Sequence, residues 1–161
     1  EIQVLENNNA ADNTKDVSAT SSQWKAIDGS TGALVTPAFT GTIAGGDYVA
    51  TTANSVCYAA SGTANYTLVR AASGSFEGMT NPGGTAVGAT ALALCKQLGL
   101  YPVAGSGLGG DGFYLDVTGE RIPIVGGNWS SGTIAGVFNL NLSNARSAVG
   151  SYIGARPAYV L

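Results

Sequence analysis

The chain has 161 residues, enough for one domain with a real core. Only 11% of them are charged, against roughly 25% in an ordinary domain, and histidine is absent. Without histidine there is no Ser-His-Asp or Cys-His nucleophile, no HExxH zinc site and no imidazole base. A net charge of −3, with the seven Lys and Arg spread singly, leaves no basic stripe to follow nucleic acid.

High glycine (24 residues) with low charge could signal low complexity, but 45% of the residues are hydrophobic, the reverse of the balance that keeps a chain disordered. The uncharged tracts 48–69 and 122–145 are long enough to span a bilayer. Both are too rich in Ser, Thr, Asn and Gly to do so, and no membrane insertion is expected. Glu1 and Glu6 stand where a secretory leader would be basic, and the absence of an initiator Met suggests trimming.

In chain order, residues 1–20 are polar and Asn-rich behind an apolar Ile2, Val4 and Leu5. They read as a short strand and loop, either an attachment or oligomer-forming arm or a loosely packed terminus. The remainder, 21–161, reads as one domain. Short β segments are expected at Gln23–Ile27, Ala33–Phe39, Tyr48–Thr52, Ser55–Ala59 and Asn65–Val69, separated by Gly- and Ser-containing breaks. Residues 73–85 read as a loop turning at Asn81-Pro82-Gly83-Gly84. The spacing of Val87, Ala91, Leu94, Cys95 and Leu98 then predicts a helix over 85–98, closed by Gly99.

Gly105-Ser106-Gly107-Leu108-Gly109-Gly110 is formally a dinucleotide fingerprint, but an alternating strand pattern at 112–117 follows it where a helix is needed, so it reads as a loop. Cys57 and Cys95 have no metal-ligand spacing. They read as buried thiols, with a single disulfide as the alternative. Asp111, Asp116 and Glu120 form a carboxylate cluster that a glycosidase would need across a cleft; around a strand and turn they read as a solvated edge. The sequons at Asn65 and Asn128 are expected by chance.

The last third divides physically into two sets. Gly126, Gly127, Gly132, Gly136 and Gly154 suit tight turns, while Trp129, Val137, Leu140, Leu142, Ile153 and Pro157 read as packed anchors. Small polar or unmatched side chains stand between them, as in a paratope. A glycine-rich loop region with ordinary solvated residues has the same composition.

"GERIPIVGGNW", the Ala-Gly-Val-Phe step, "LNLSNARS" and "IGARPA" closely resemble the variable proteins of diversity-generating retroelements and the modules that end many phage tail fibres and adhesins. With "ALALCKQLGLYP…GDGFYLDVTGERIP" upstream, the resemblance covers about residues 85–161. It implies an α+β, C-type-lectin-like fold of the formylglycine-generating-enzyme branch, β-rich with one or two helices and long loops. In that fold the N- and C-terminal strands pair, and the segment 122–161 forms a variable ligand surface. The implied frame is Gly126, Gly127, Trp129, Gly132, Gly136, Leu140, Leu142, Asn144, Arg146, Gly154, Arg156 and Pro157. The implied ligand-facing residues are Ser130, Ser131, Thr133, Ile134, Asn139, Asn141, Ser143, Ala148, Val149, Ser151 and Tyr152, with Trp129 as an aromatic contact. The chain departs from the pattern at Asn139, where relatives carry a small residue, and at Ala155, where a larger aromatic is common.

The resemblance further implies a non-enzymatic receptor-binding protein on a virion surface, on tail fibre or capsid exterior, or at a cell surface. Its expected partners are a host-cell receptor (protein or glycan), other virion proteins and copies of itself, with a trimer favoured. No metal or other cofactor is expected. Calcium-dependent sugar binding lacks its Glu-Pro-Asn and Trp-Asn-Asp motifs here, and the tract 122–145 has no carboxylate to hold the ion. The formylglycine enzymes depend on a C-terminal cysteine pair that this chain lacks. A structural capsid or tail decoration with the same fold is the alternative.

Overall fold

A computed structural model describes residues 2–3, 5–7, 24–35, 39–40, 49–50, 54–62, 64–70, 73–116, 123–144 and 148–154. They form a mixed α and β fold with small sheets and, among the described residues, one α-helix. The strands are β1 (Ile2–Gln3), β2 (Leu5–Asn7), β3 (Trp24–Ile27), β4 (Leu34–Val35), β5 (Phe39–Thr40), β6 (Val49–Ala50), β7 (Cys57–Ala59), β8 (Thr67–Val69), β9 (Ser73–Ser75), β10 (Gly112–Leu115), β11 (Ile124–Val125) and β12 (Leu140–Leu142). The helix α1 spans Ala89–Gln97. It is too short to cross a membrane, and no described helix is long and apolar enough to do so.

The sheet that carries the C-terminal segment has the order β11-β12-β10-β9. β10 runs parallel to β12, with Phe113 opposite Leu140 and Leu115 opposite Leu142. β11 and β9 pair antiparallel on either side. β10 is buried at Gly112, Phe113 and Leu115, as expected of a central strand covered on both faces. β12 alternates Leu140 in, Asn141 half out and Leu142 in. The Phe113 ring meets Phe76 at 6.5 Å and Tyr58 at 6.1 Å between centroids. This aromatic group joins the sheet to β7, whose partners are β1 and β8. β2, β3 and β4 form an antiparallel meander, and β5 pairs with β6.

The helix follows the sequence with one correction. Ala91 and Cys95, four residues apart, face the core. The helix starts at Ala89, four residues after the expected start, because Asn81 holds Val87 outside it. The Asn81 amide donates to the Val87 carbonyl and accepts from its N–H, at 3.0 and 2.9 Å. The other end is as expected. Gly99 takes φ +70°, its N–H bonds the Lys96 carbonyl at 3.1 Å, and the Leu100 N–H bonds that of Cys95 at 2.8 Å. That pair of bonds is a Schellman close, which needs a residue tolerant of the left-handed region.

A second correction concerns 73–85. Ser73–Ser75 is a strand and Phe76–Gly78 a short 3-10 turn. The Ser-Gly-Ser sequence carries no β-branched signal; pairing with β10 makes it a strand. The Arg70 Nε donates to the Ser75 carbonyl at 2.8 Å, and the Phe76 N–H donates to the Asp111 carbonyl at 2.7 Å. The other expected strands appear in shorter form, and Gly105–Gly110 is a loop. At the start of the chain, β1 pairs with β7 and β2 with β3. The expected pairing of the C-terminal strand falls on 155–161, outside the described residues.

Candidate ligand-binding surface

The segment between β11 and β12 is built from bonds within itself. After β11, Gly126 donates its N–H to the Asn139 carbonyl at 3.1 Å, so the segment leaves the sheet beside the point where it returns. Gly127 sits so close to the returning chain that a β-carbon there would lie 2.9 Å from the Ala135 Cα. Asn128 then closes a turn with one oxygen. Its Oδ1 accepts from the Ser130 N–H at 2.8 Å, the Ser130 hydroxyl at 2.7 Å and the Ser131 hydroxyl at 3.2 Å. The Ser131 Oγ in turn accepts the Asn128 N–H at 3.1 Å. Such side-chain to backbone bonds are why Asn and Ser favour turns. A 3-10 turn over Gly132–Ile134 follows.

The same device recurs at the end of β12. The Asn141 Oδ1 accepts from the Ser143 N–H at 2.8 Å, its hydroxyl at 2.7 Å and the Asn144 amide at 3.0 Å. Asn-Trp-Ser-Ser and Asn-Leu-Ser-Asn are thus two copies of one turn.

Asn139 is placed in the interior, 2% exposed, with its amide donating to the Ile134 carbonyl at 2.9 Å. This corrects its expected ligand-facing position: it props the 3-10 turn from beneath. Trp129 and Val137, read as packed anchors, are 88% and 82% exposed. The aromatic-contact reading of Trp129 is compatible with that exposure; the frame reading is not. Ser130, Thr133, Ser143 and Ser151 are exposed, and Ser131, Ile134, Asn141 and Ala148 half-buried. Val149 is 91% and Tyr152 52% exposed. Ser130, Ser131, Asn141 and Ser143 spend hydrogen-bonding capacity on their own turns, so they shape the surface more than they offer it. Arg146, Ala155, Arg156 and Pro157 lie outside the described residues.

Asp111 differs from the expected solvated edge. It is 6% exposed, and its Oδ2 accepts the Phe138 N–H at 2.9 Å. A β-carbon on Gly136 would stand 2.3 Å from both carboxylate oxygens, so only glycine lets the turn close over them. Asp116 is half-buried, and Glu120 is outside the described residues. The sequence signal for Asp111 was its place just before a buried strand, where an unsatisfied carboxylate would be costly. For Val137 the signal was its place directly after Gly136.

The described residues 123–144 and 148–154 contain no Asp, Glu, Lys or Arg. No group of three or more Cys, Asp or Glu among the described residues could hold a metal ion. Cys57 and Cys95 are both buried and not joined in a disulfide, and burial pushes the Cys95 thiol up to about 11. No family model matches the chain, and no curated protein matches it in sequence.

Proposed function

We propose that the protein is a non-enzymatic receptor-binding module with a C-type-lectin-like fold, displaying a variable surface on a virion or tail fibre and recognising a host cell. Its sequence resemblance to the variable proteins of diversity-generating retroelements suggests the class. One observation carries the reading at the site. Exposed apolar, aromatic and hydroxyl side chains, with no Asp, Glu, Lys or Arg among the described residues 123–144 and 148–154, stand on a turn frame whose polar groups are hydrogen-bonded. Such a frame lets side chains change while the backbone stays, and a preformed surface binds without the cost of ordering. Single sites of this type are weak, so a homo-oligomer, a trimer by preference, supplies avidity.

The test replaces side chains that point out and enter no turn bond described above. Trp129→Ala, Thr133→Ala, Val149→Ser, Ser151→Ala and Tyr152→Ala are combined, and binding of labelled protein to a panel of bacterial cells is measured. The wild type is expected to bind some strains and the variant to lose them. The melting temperature should move by no more than about 2 °C, because exposed positions carry little stability. A wild type that binds no cell but assembles onto particles would favour the decoration alternative.

A further inference from the structure

We infer that Asp111 is a positioning residue for this surface, holding the peptide on both sides of Val137 so that an apolar side chain stands fixed in solvent. The inference rests on the recognition reading and deepens it by adding a contact residue and the device that presents it. Gly136 lies directly over the carboxylate, with room for a hydrogen and no more. Phe138, two residues on, donates its N–H to the same carboxylate at 2.9 Å. The Asn139 N–H returns to the Gly136 carbonyl at 3.0 Å, closing the turn. Val137 is therefore flanked by two fixed neighbours, yet its own side chain is almost fully in water.

Asp111 is itself placed by the core. Its carbonyl takes the Phe76 N–H, and the next residue begins the central strand β10. The position of Val137 is thus set from the middle of the molecule. A valine in water gains nothing for folding, whereas one held rigid loses little freedom on meeting a partner. Its chemistry fits an uncharged, apolar hollow on the target.

Amide hydrogen exchange on the full chain tests the positioning. In Asp111→Ala, the amides of Phe138 and Asn139, the two bonded in this turn, should exchange at least about tenfold faster, while those of α1 and β7 change far less. Asp111→Asn, which keeps an acceptor oxygen, should restore most of the protection. Gly136→Ala should reproduce the local loss with the carboxylate intact, and it decides the matter if Asp111→Ala does not fold. Unchanged exchange at Phe138 and Asn139 in the folded variants, an equal rise across the molecule, or Asn behaving as Ala would overturn the inference.

Val137→Ser tests the contact. Cells bound by the wild type should be bound at least about tenfold more weakly, the loss typical of a contact that matters. Wild-type affinity in that variant would overturn this half. A wild type that binds no cell sinks the recognition reading and leaves the exchange result readable.

Discussion

Ser55 and Tyr58 are buried hydroxyl residues just before and in β7, with opposite environments. The Tyr58 hydroxyl donates to the carbonyl of Leu100, the last residue of the Schellman close. Burial, helped by the neighbouring Cys95, holds its ionisation well above the usual phenol value. The Ser55 Oγ is buried with no hydrogen-bond partner among the described residues. Removing a hydroxyl that has a partner strands that partner, while removing one without a partner removes only a cost. Tyr58→Phe should therefore lower stability by about 1 to 2 kcal/mol in denaturant unfolding. Ser55→Ala should be neutral, or stabilising by up to about 1 kcal/mol. A larger loss at Ser55 than at Tyr58 would contradict this assignment.

Among the elements, the turn from β3 to β4 carries a pH dependence. One Asp28 oxygen accepts the Ser30 N–H at 3.0 Å, the Thr31 N–H at 2.8 Å and the Thr31 hydroxyl at 2.8 Å. The Thr31 bonds are the main cause that holds this carboxyl below its usual value of 3.8. A depressed folded value means the turn's stabilisation is complete above the unfolded value and lost as pH falls through the folded one. Asp28→Asn keeps an acceptor but removes the titration. The melting gap between wild type and variant should thus be widest near neutrality and shrink below about pH 4. The same turn holds the helix, because Gly88 donates to the Gly29 carbonyl at 2.7 Å.

How much of this was legible depended on the range of the cause. The helix close at Gly99 and the loop at 105–110 follow from local residues, and both were readable. β9 was not, because its strand character comes from a partner far along the chain. Asn139 and Val137 exchanged the places expected of them for the same kind of reason. A side chain's direction in an irregular turn is set by Asp111 and Ile134, and polarity alone does not encode it.

For the whole molecule, charge scarcity has a functional consequence under the proposed reading. The described part of the binding surface, residues 123–144 and 148–154, has no Asp, Glu, Lys or Arg, so it supplies no long-range attraction for salt to screen. Binding to cells should change by less than about two-fold when ionic strength is raised roughly tenfold across the Debye range. Steep weakening with salt would point to contacts made through Lys or Arg, Arg146 and Arg156 of the segment 122–161 included. The core agrees with a fixed platform: Phe113, Phe76 and Tyr58 tie the C-terminal sheet to β7, and Cys95 of α1 packs in the same core.

The parallel pairing of β10 with β12 makes the chain between them a crossover whose two ends are locked in adjacent strands. Phe113 faces Leu140 and Leu115 faces Leu142, so the spacing of the return is counted in whole residues. One residue more or less, passed on to β12, would turn Leu140 and Leu142 toward water and Asn141 toward the core. Under the proposed reading, the crossover would therefore accept substitutions at its exposed positions, whereas an insertion or deletion passed on to β12 would cost the core its two leucines.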